Sequence, residues 1–527
     1  MPNFRIQRFV LSGIIGMLYI LPQASAFSID KLVVGTTMVV RGVDLEDYYF
    51  GTIKHLVSHK GLVRITETGS IEPDLAEHIQ SQDAKIWTFR LKPDYRWHDG
   101  KPVTASDAAF SIDYLIRKVP VYKSHFSMIE TTKTIDERTL CIHLKEAYPR
   151  FLVNLLVLRL LPKHVFAEVD DPGKFSDRRA AIGCGPYAFQ NLDSAAGILE
   201  FRAFPGYPRG EPNVKHIVFR MFQNPDTLYL ALRKGEIDLP YFYAAGTSPA
   251  HLPPLLRQSN LNLLSIPNTG VPNALFLNTQ KPPLDSQPFR KALSKAIRYE
   301  EIARLMGGGY GTVANAGFVP PGNPEFTDTA PLTYDPQQAM DLLQSLGYID
   351  RDGDGIREKD GKPLELELVL RLDTSGNARL AELLKEYFRN VGMLLRLRPA
   401  DMALFRTISD QERSHQLLLT RTTPWGMMMW AGCGSGYLDA RNIGWSLCSA
   451  KQFVDIVDRM YAAQDDTAYR KAASEFQHHI AADLPVVALY WENMIQPVPK
   501  RYTGWKINPM YGVLWEETWF NLQHTKD

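Results

Sequence analysis

The chain has almost no net charge. Lys and Arg together number 59 and Asp and Glu 58 in 527 residues, a formal balance of +1. There is therefore no basic field to gather nucleic-acid phosphates and no acidic tail, so nucleic acid is not an expected partner. Cysteine is scarce: Cys141, Cys184, Cys433 and Cys448 are the only four. None lies in a Cys-x-x-Cys pair or at a zinc-type spacing from histidine, so no metal site is expected from them. Beyond the N-terminus no run reaches the ~18 apolar residues of a membrane span. The longest candidate, "FLVNLLVLRLL" at 151–161, is interrupted by Asn154 and Arg159.

Catalytic signatures are missing as well. There is no Gly-x-Ser-x-Gly, no His-Glu-x-x-His and no phosphate-cradling glycine loop. Gly307-Gly308-Gly309 follows a helical stretch and reads as its stop. His478 and His479 are adjacent on a helix and do not face the same side. An enzyme is thus not expected, with a secreted hydrolase kept only as a lesser alternative, and no cofactor is called for. Asp350-Arg351-Asp352-Gly353-Asp354-Gly355 resembles the start of a calcium loop. Such a loop needs a bidentate acid at position twelve, which here is Gly361. The segment therefore reads as a polar loop ahead of a strand at Leu364.

What is present begins with "MPNFRIQRFVLSGIIGMLYILPQASAFS". Arg5 and Arg8 precede an apolar core from Val10 to Leu21, and Ala24-Ser25-Ala26 is a small-x-small site. This pattern predicts an export signal over residues 1–26, cleaved before Phe27, and a periplasmic mature protein. No cysteine stands at the site to carry a lipid anchor. Export permits oxidation, and Cys433 and Cys448 would close a short loop, so a disulfide is expected between them. The whole chain is 45% hydrophobic and 22% charged, an ordinary globular composition.

Alternation of Trp87, Phe89 and Leu91 predicts a strand, and Thr104 with Asp107 three residues on predicts the cap of a helix. Leu364, Leu366, Leu368 and Leu370 alternate ahead of a helix at about 378–390, and 393–397 reads as a further strand. This spacing predicts a parallel pair in an α/β domain. Other helices are expected over 287–306, 335–346 and, in one or two pieces, 449–483. Two arginines stand out. Arg159 and Arg421 each lie among apolar residues, where a charge needs a partner. Either an internal Asp or Glu supplies it, or a ligand carboxylate does.

One stretch resists assignment: "TRTTPWGMMMWAGCGSGYLDARNIGWSLC", residues 420–448. It is too glycine-rich for a helix and lacks the alternation of a strand. Its large apolar side chains either fill a core or line a binding place.

"WTFRLKPDYRWHDGKPVTASDAAFSIDYL" (87–115) closely resembles the signature of the family 5 extracellular solute-binding proteins of ABC importers. In order there follow "IGCGPYAF" (182–189), "LYLALRKGEIDL" (228–239), "LFLNTQKPPLDSQPFRKALSKAI" (275–297) and "AADLPVVALY" (481–490), each similar to an element of that family. The resemblance covers nearly all of the mature chain. It implies a two-lobed α/β fold of the periplasmic-binding-protein type, with a hinge and an extra subdomain in the N-terminal lobe. The implied layout is a lobe over 27–268, a second over 269–482 and a C-terminal segment, 483–527, returning to the first.

It further implies a monomer that encloses a small molecule or peptide between its lobes and delivers it to an ABC permease in the inner membrane. By the same resemblance the 420–448 loop lines the cleft, with Trp425, Met427 to Met429, Trp430, Tyr437 and Asp439 as candidate contacts. Peptide receptors of the family carry an Asp-rich stretch here that holds the peptide's amino terminus, and this loop has only Asp439. Arg159 lies near where nickel receptors place an arginine that grips a chelator's carboxylate. Peptide is the leading ligand class, with nickel or another metal held by an organic chelator as the alternative.

Overall fold

The computed structural model describes residues 28–525, apart from 243, 244, 268, 269, 271, 372, 373, 375, 422, 423, 430 and 431. The expected export signal lies outside the described residues. No described helix is long and apolar enough to cross a membrane.

Three sheets organise the chain. The first lobe is built on a five-stranded sheet in the order Leu239–Tyr241, Ile29–Thr36, Val214–Met221, Ile198–Ala203, Tyr187–Asp193. Ile29–Thr36 runs parallel to both of its neighbours, and the remaining pairs are antiparallel. A separate four-stranded antiparallel sheet, Ala76–Ser81, Ile86–Leu91, Thr139–Leu144 and Ile129–Thr134, forms the expected subdomain of this lobe. The helix Ala105–Lys118 covers it and is closed by a full capping box. Thr104 Oγ1 accepts from the Asp107 amide at 3.3 Å, and Asp107 Oδ2 accepts from the Thr104 amide at 2.9 Å. Thr104→Ala should lower stability by about 1 kcal/mol. A denaturant titration that finds no change would mean that Asp107 holds the helix start unaided.

The second lobe carries a six-stranded sheet in the order Gly311–Val313, Val486–Glu492, Asn273–Leu277, Leu417–Thr420, Glu365–Arg371, Leu394–Ala400. Glu365–Arg371 and Leu394–Ala400 are parallel and joined by the helix Asn377–Arg389, as their spacing predicts. The single helix expected over 287–306 is instead two, Gln287–Lys295 and Tyr299–Gly307. The chain turns between them so that the buried Tyr299 hydroxyl donates back to the Ser294 carbonyl at 2.9 Å, a local closure that apolar periodicity does not encode. The second helix stops at Gly308, which takes a φ of +56°, left-handed backbone that suits glycine.

The lobes are linked by an antiparallel pair, Leu261–Ile266 with Met494–Pro499. Val486–Glu492 lies inside the second lobe's sheet, so the chain leaves that lobe after Glu492 rather than at 483 as the layout above expects. The strand is uniformly apolar until its end because both faces are covered.

Candidate functional site

Arg159 follows the short helix Phe151–Leu155 on the first lobe. Its Nη1 donates to the carbonyls of Leu156 and Leu158, both at 2.9 Å. Its Nη2 meets His55 Nε2 and lies 3.3 Å from the Tyr511 hydroxyl. Among the described residues no carboxylate lies within ion-pair distance of it, and its Nε is buried without a hydrogen-bond partner. Gly61 makes this arrangement possible. A Cβ there would stand 2.6 Å from the Leu158 oxygen and 2.9 Å from Arg159 Nη1. The surroundings are cationic. Burial first, then Arg159, His59, Lys54 and Lys60, hold the His55 imidazole well below its usual protonation range. Burial lowers Lys54 to about 8. The result is a half-buried guanidinium beside a neutral imidazole and a phenol, suited to receive an anionic oxygen.

Arg421 has a different fate. It pairs with Glu492 at the end of the strand Val486–Glu492, so the internal acid expected as one alternative is its partner. The pair borders a cavity of about 360 Å³ near the hinge, with Tyr490, Tyr229 and Phe242. Its charge is already met within the protein, which removes it as a free carboxylate anchor.

The 420–448 loop divides between core and cleft. Pro424–Met429 is a short helix, although the glycine content had argued against one. Met427 is fully buried in the second lobe's core, and Tyr437 is buried there with its ring stacked on Trp445 at 4.6 Å. Asp439 is fully buried, and its carboxylate is taken by Arg441, at 2.7 Å through Nη2, and by the Arg441 amide at 2.8 Å. Met427, Tyr437 and Asp439 are therefore structural, because turns within the loop aim them inward. Met428 faces the other way. It packs against the first lobe and lines a cavity of about 420 Å³ between the lobes, with Arg150, Glu325, Tyr469 and Met510. The side chain of Trp425 and all of Trp430 lie outside the described residues.

The expected disulfide is not formed. Cys433 and Cys448 are buried thiols. Each is engaged elsewhere, Cys433 with the Tyr469 side chain and Cys448 with Thr279, and burial pushes both thiols up from their usual range. In the 350–358 loop the carboxylates of Asp350, Asp352, Asp354 and Glu358 lie within 4.8 Å of one another. Counting to position twelve had overlooked Glu358, which sits at position nine. The first three are exposed.

A family model described as bacterial extracellular solute-binding proteins, family 5, matches residues 70–453. The chain belongs to that family. The nickel-binding periplasmic protein of Escherichia coli is 28% identical over 374 residues, 68% of this chain and 66% of that one. A putative ABC transporter peptide-binding protein of Brucella abortus is 30% identical over 53% of this chain and 52% of its own length. The chain thus spans about half to two thirds of these two relatives. The dipeptide-binding protein of Escherichia coli is 24% identical over 84% of this chain and 85% of its own. Among solved structures, NikA from Brucella suis in complex with Fe(III)-EDTA gives a TM-score of 0.82 at 20% identity, over 94% of this chain and all of that one. AppA from Bacillus subtilis in complex with a nonapeptide gives 0.74 at 19%, over 95% and 99%. At these identities the structures show the shared two-lobed fold.

The motifs that resembled the family now have physical roles. In "RWHDG", His98 Nδ1 accepts from the Gly183 amide at 3.1 Å and Nε2 meets the Gly185 carbonyl at 3.1 Å. Burial holds this imidazole down to about 4. Both glycines press on Ser58 and His59, where a Cβ on Gly183 would stand 2.0 Å from the Ser58 oxygen. "IGCGPYAF" thereby fixes the end of the helix that carries His55. In "PFRKAL", the buried Arg290 grips Asp483 of "AADLP" through its carboxylate at 2.5 Å and its carbonyl at 2.9 Å. In "GEIDL", Asp238 accepts from the Val33 amide at 2.7 Å and pairs with Arg501. Sequence reading found Arg159, and Met428 as part of the run Met427 to Met429, but missed His55 and Tyr511. Neither of those two carried a signal in the sequence.

Proposed function

We propose that the protein is the substrate-binding receptor of an ABC importer and not an enzyme. It is exported, encloses a small carboxylate-bearing solute between its lobes and presents it to a permease in the inner membrane. A peptide is the first reading of that solute, in keeping with the peptide-binding relatives. The observation that carries the proposal is Arg159: a guanidinium beside His55 and Tyr511, with no internal carboxylate to neutralise it among the described residues. A buried or half-buried charge of this kind is stable only if something pairs with it.

A metal held by an organic chelator is the second reading, and one observation favours it. Asp439, the only acid of the 432–439 stretch, is buried and paired with Arg441, so it offers nothing to a peptide's amino terminus. Titrating the purified chain with dipeptides and, separately, with nickel plus free histidine distinguishes the two readings. Native mass spectrometry of protein from its own host should recover an intact small molecule. Turnover of that molecule, instead of its recovery, would sink the receptor reading.

Ligand should also change tryptophan fluorescence, through Trp425 and Trp430 in the loop next to Met428. If Trp425→Phe combined with Trp430→Phe leaves the ligand-induced change intact, neither ring lines the site.

A further inference from the structure

Away from the hinge, an arginine spans from one lobe to the other. Arg150, on the first lobe immediately before the helix Phe151–Leu155, reaches the second lobe. Its guanidinium carbon lies 3.5 Å from the centre of the Tyr469 ring, and its Nη2 lies 3.9 Å from Glu325 Oε1. The Arg150 and Glu325 side chains are only 15% and 17% exposed. Flanking contacts follow the same seam, with the Tyr148 and Tyr461 rings 6.3 Å apart and Gly69 lying close against Pro324.

The receiving side is built without help from the first lobe. Tyr469 projects from the helix Asp466–Asp483, and its hydroxyl is held by the Cys433 thiol. Gly432 leaves it room, since a Cβ there would fall 1.6 Å from the Tyr469 oxygen. Glu325 sits on a loop fastened by the fully buried Gln477. That side chain donates to the Glu325 carbonyl at 2.7 Å and accepts from the Thr327 amide at 2.8 Å. Asn323 Oδ1 accepts from the Glu325 amide at 2.9 Å. A planar guanidinium over a pre-placed ring gains attraction without ordering the ring. Opening about the Leu261–Ile266 and Met494–Pro499 pair would pull Arg150 out of this socket.

We infer that Arg150, Tyr469 and Glu325 form a latch that sets the ratio of closed to open molecules before any ligand binds. The latch acts whatever the cleft carries. It raises apparent affinity by enlarging the binding-competent fraction.

The test uses the full mature chain without ligand, spin-labelled at Lys174→Cys in the first lobe and Lys451→Cys in the second. The distance distribution between the labels reports the lobes. The parent should show a closed population. Arg150→Ala should raise the ratio of open to closed molecules roughly tenfold, the scale of a partly desolvated cation–π contact. Tyr469→Leu should do the same, and the double variant should go no further than either single one. Tyr469→Phe, which keeps the ring, should stay closed. An unchanged distance distribution in Arg150→Ala overturns the inference, including the case in which the melting temperature falls, because Arg150 would then only support its own lobe. A parent that is wholly open without ligand overturns it too.

Discussion

Arg159→Met should weaken ligand binding ten- to a hundredfold and leave a folded protein. A hydrogen bond to a charged group contributes about 1.5–3 kcal/mol, which is that range of affinity. The alternative in which Arg159 balances an internal acid predicts strong destabilisation with unaltered affinity. The geometry argues against it, because the partners of the guanidinium are the carbonyls of Leu156 and Leu158, His55 and Tyr511. The substitution frees two carbonyls and should itself cost about 1–2 kcal/mol. Affinity and melting temperature measured on the same variant separate the readings. If affinity holds while stability falls, Arg159 leaves the site and the carboxylate-binding proposal goes with it.

Glu516→Gln should be among the most destabilising single changes in the first lobe. Glu516 begins the last helix, Glu516–Asn521, and is buried where the C-terminal segment returns to that lobe. It pairs with Lys60 and accepts from the Tyr207 hydroxyl and Arg209, both at 2.8 Å. Lys60 is itself buried and has Asp74 as its second acid at 2.7 Å. Removing one charge from such a cluster leaves its partner desolvated, which typically costs about 3–5 kcal/mol.

The same cluster makes the protein acid-sensitive. Burial alone would raise the Glu516 carboxyl, but Lys60, Arg209 and Tyr207 outweigh it and hold the group at about 2, below its ordinary 4.5. A carboxyl depressed by folding contributes its stability fully above the ordinary value and loses it as pH falls toward the depressed one. Wild-type stability should therefore decline between about pH 4.5 and 2, and Glu516→Gln should flatten that decline. Urea unfolding at pH 7, 4.5 and 3 measures both effects. Parallel pH curves for the two proteins would mean that other carboxyls govern acid unfolding.

Motifs and periodicities made much of this protein legible in the sequence. The Thr104–Asp107 capping box, the alternating leucines of Glu365–Arg371 and the glycine stop at Gly308 are local devices, each set by residues within a few positions. The family motifs were equally readable, because the close approaches at Gly183 and Gly185 admit no side chain. The two-lobed architecture was expected only through the resemblance that those motifs carry. The chemical kind of each candidate residue was legible too, down to two arginines that need partners and a loop of large apolar side chains.

The tertiary structure alone decided which way each of those residues turned. Arg421 found Glu492, 71 positions away, whereas Arg159 found His55 and Tyr511 and no carboxylate among the described residues. Asp439 was claimed by Arg441, and Met427 and Met428, adjacent in sequence, went to core and cleft respectively. Cys433 and Cys448 met Tyr469 and Thr279 rather than each other. Asp439 is met locally, by an arginine two positions on, but for Arg159, Arg421, Cys433 and Cys448 the neighbour is whatever sheet order and helix packing bring alongside from tens to hundreds of residues away.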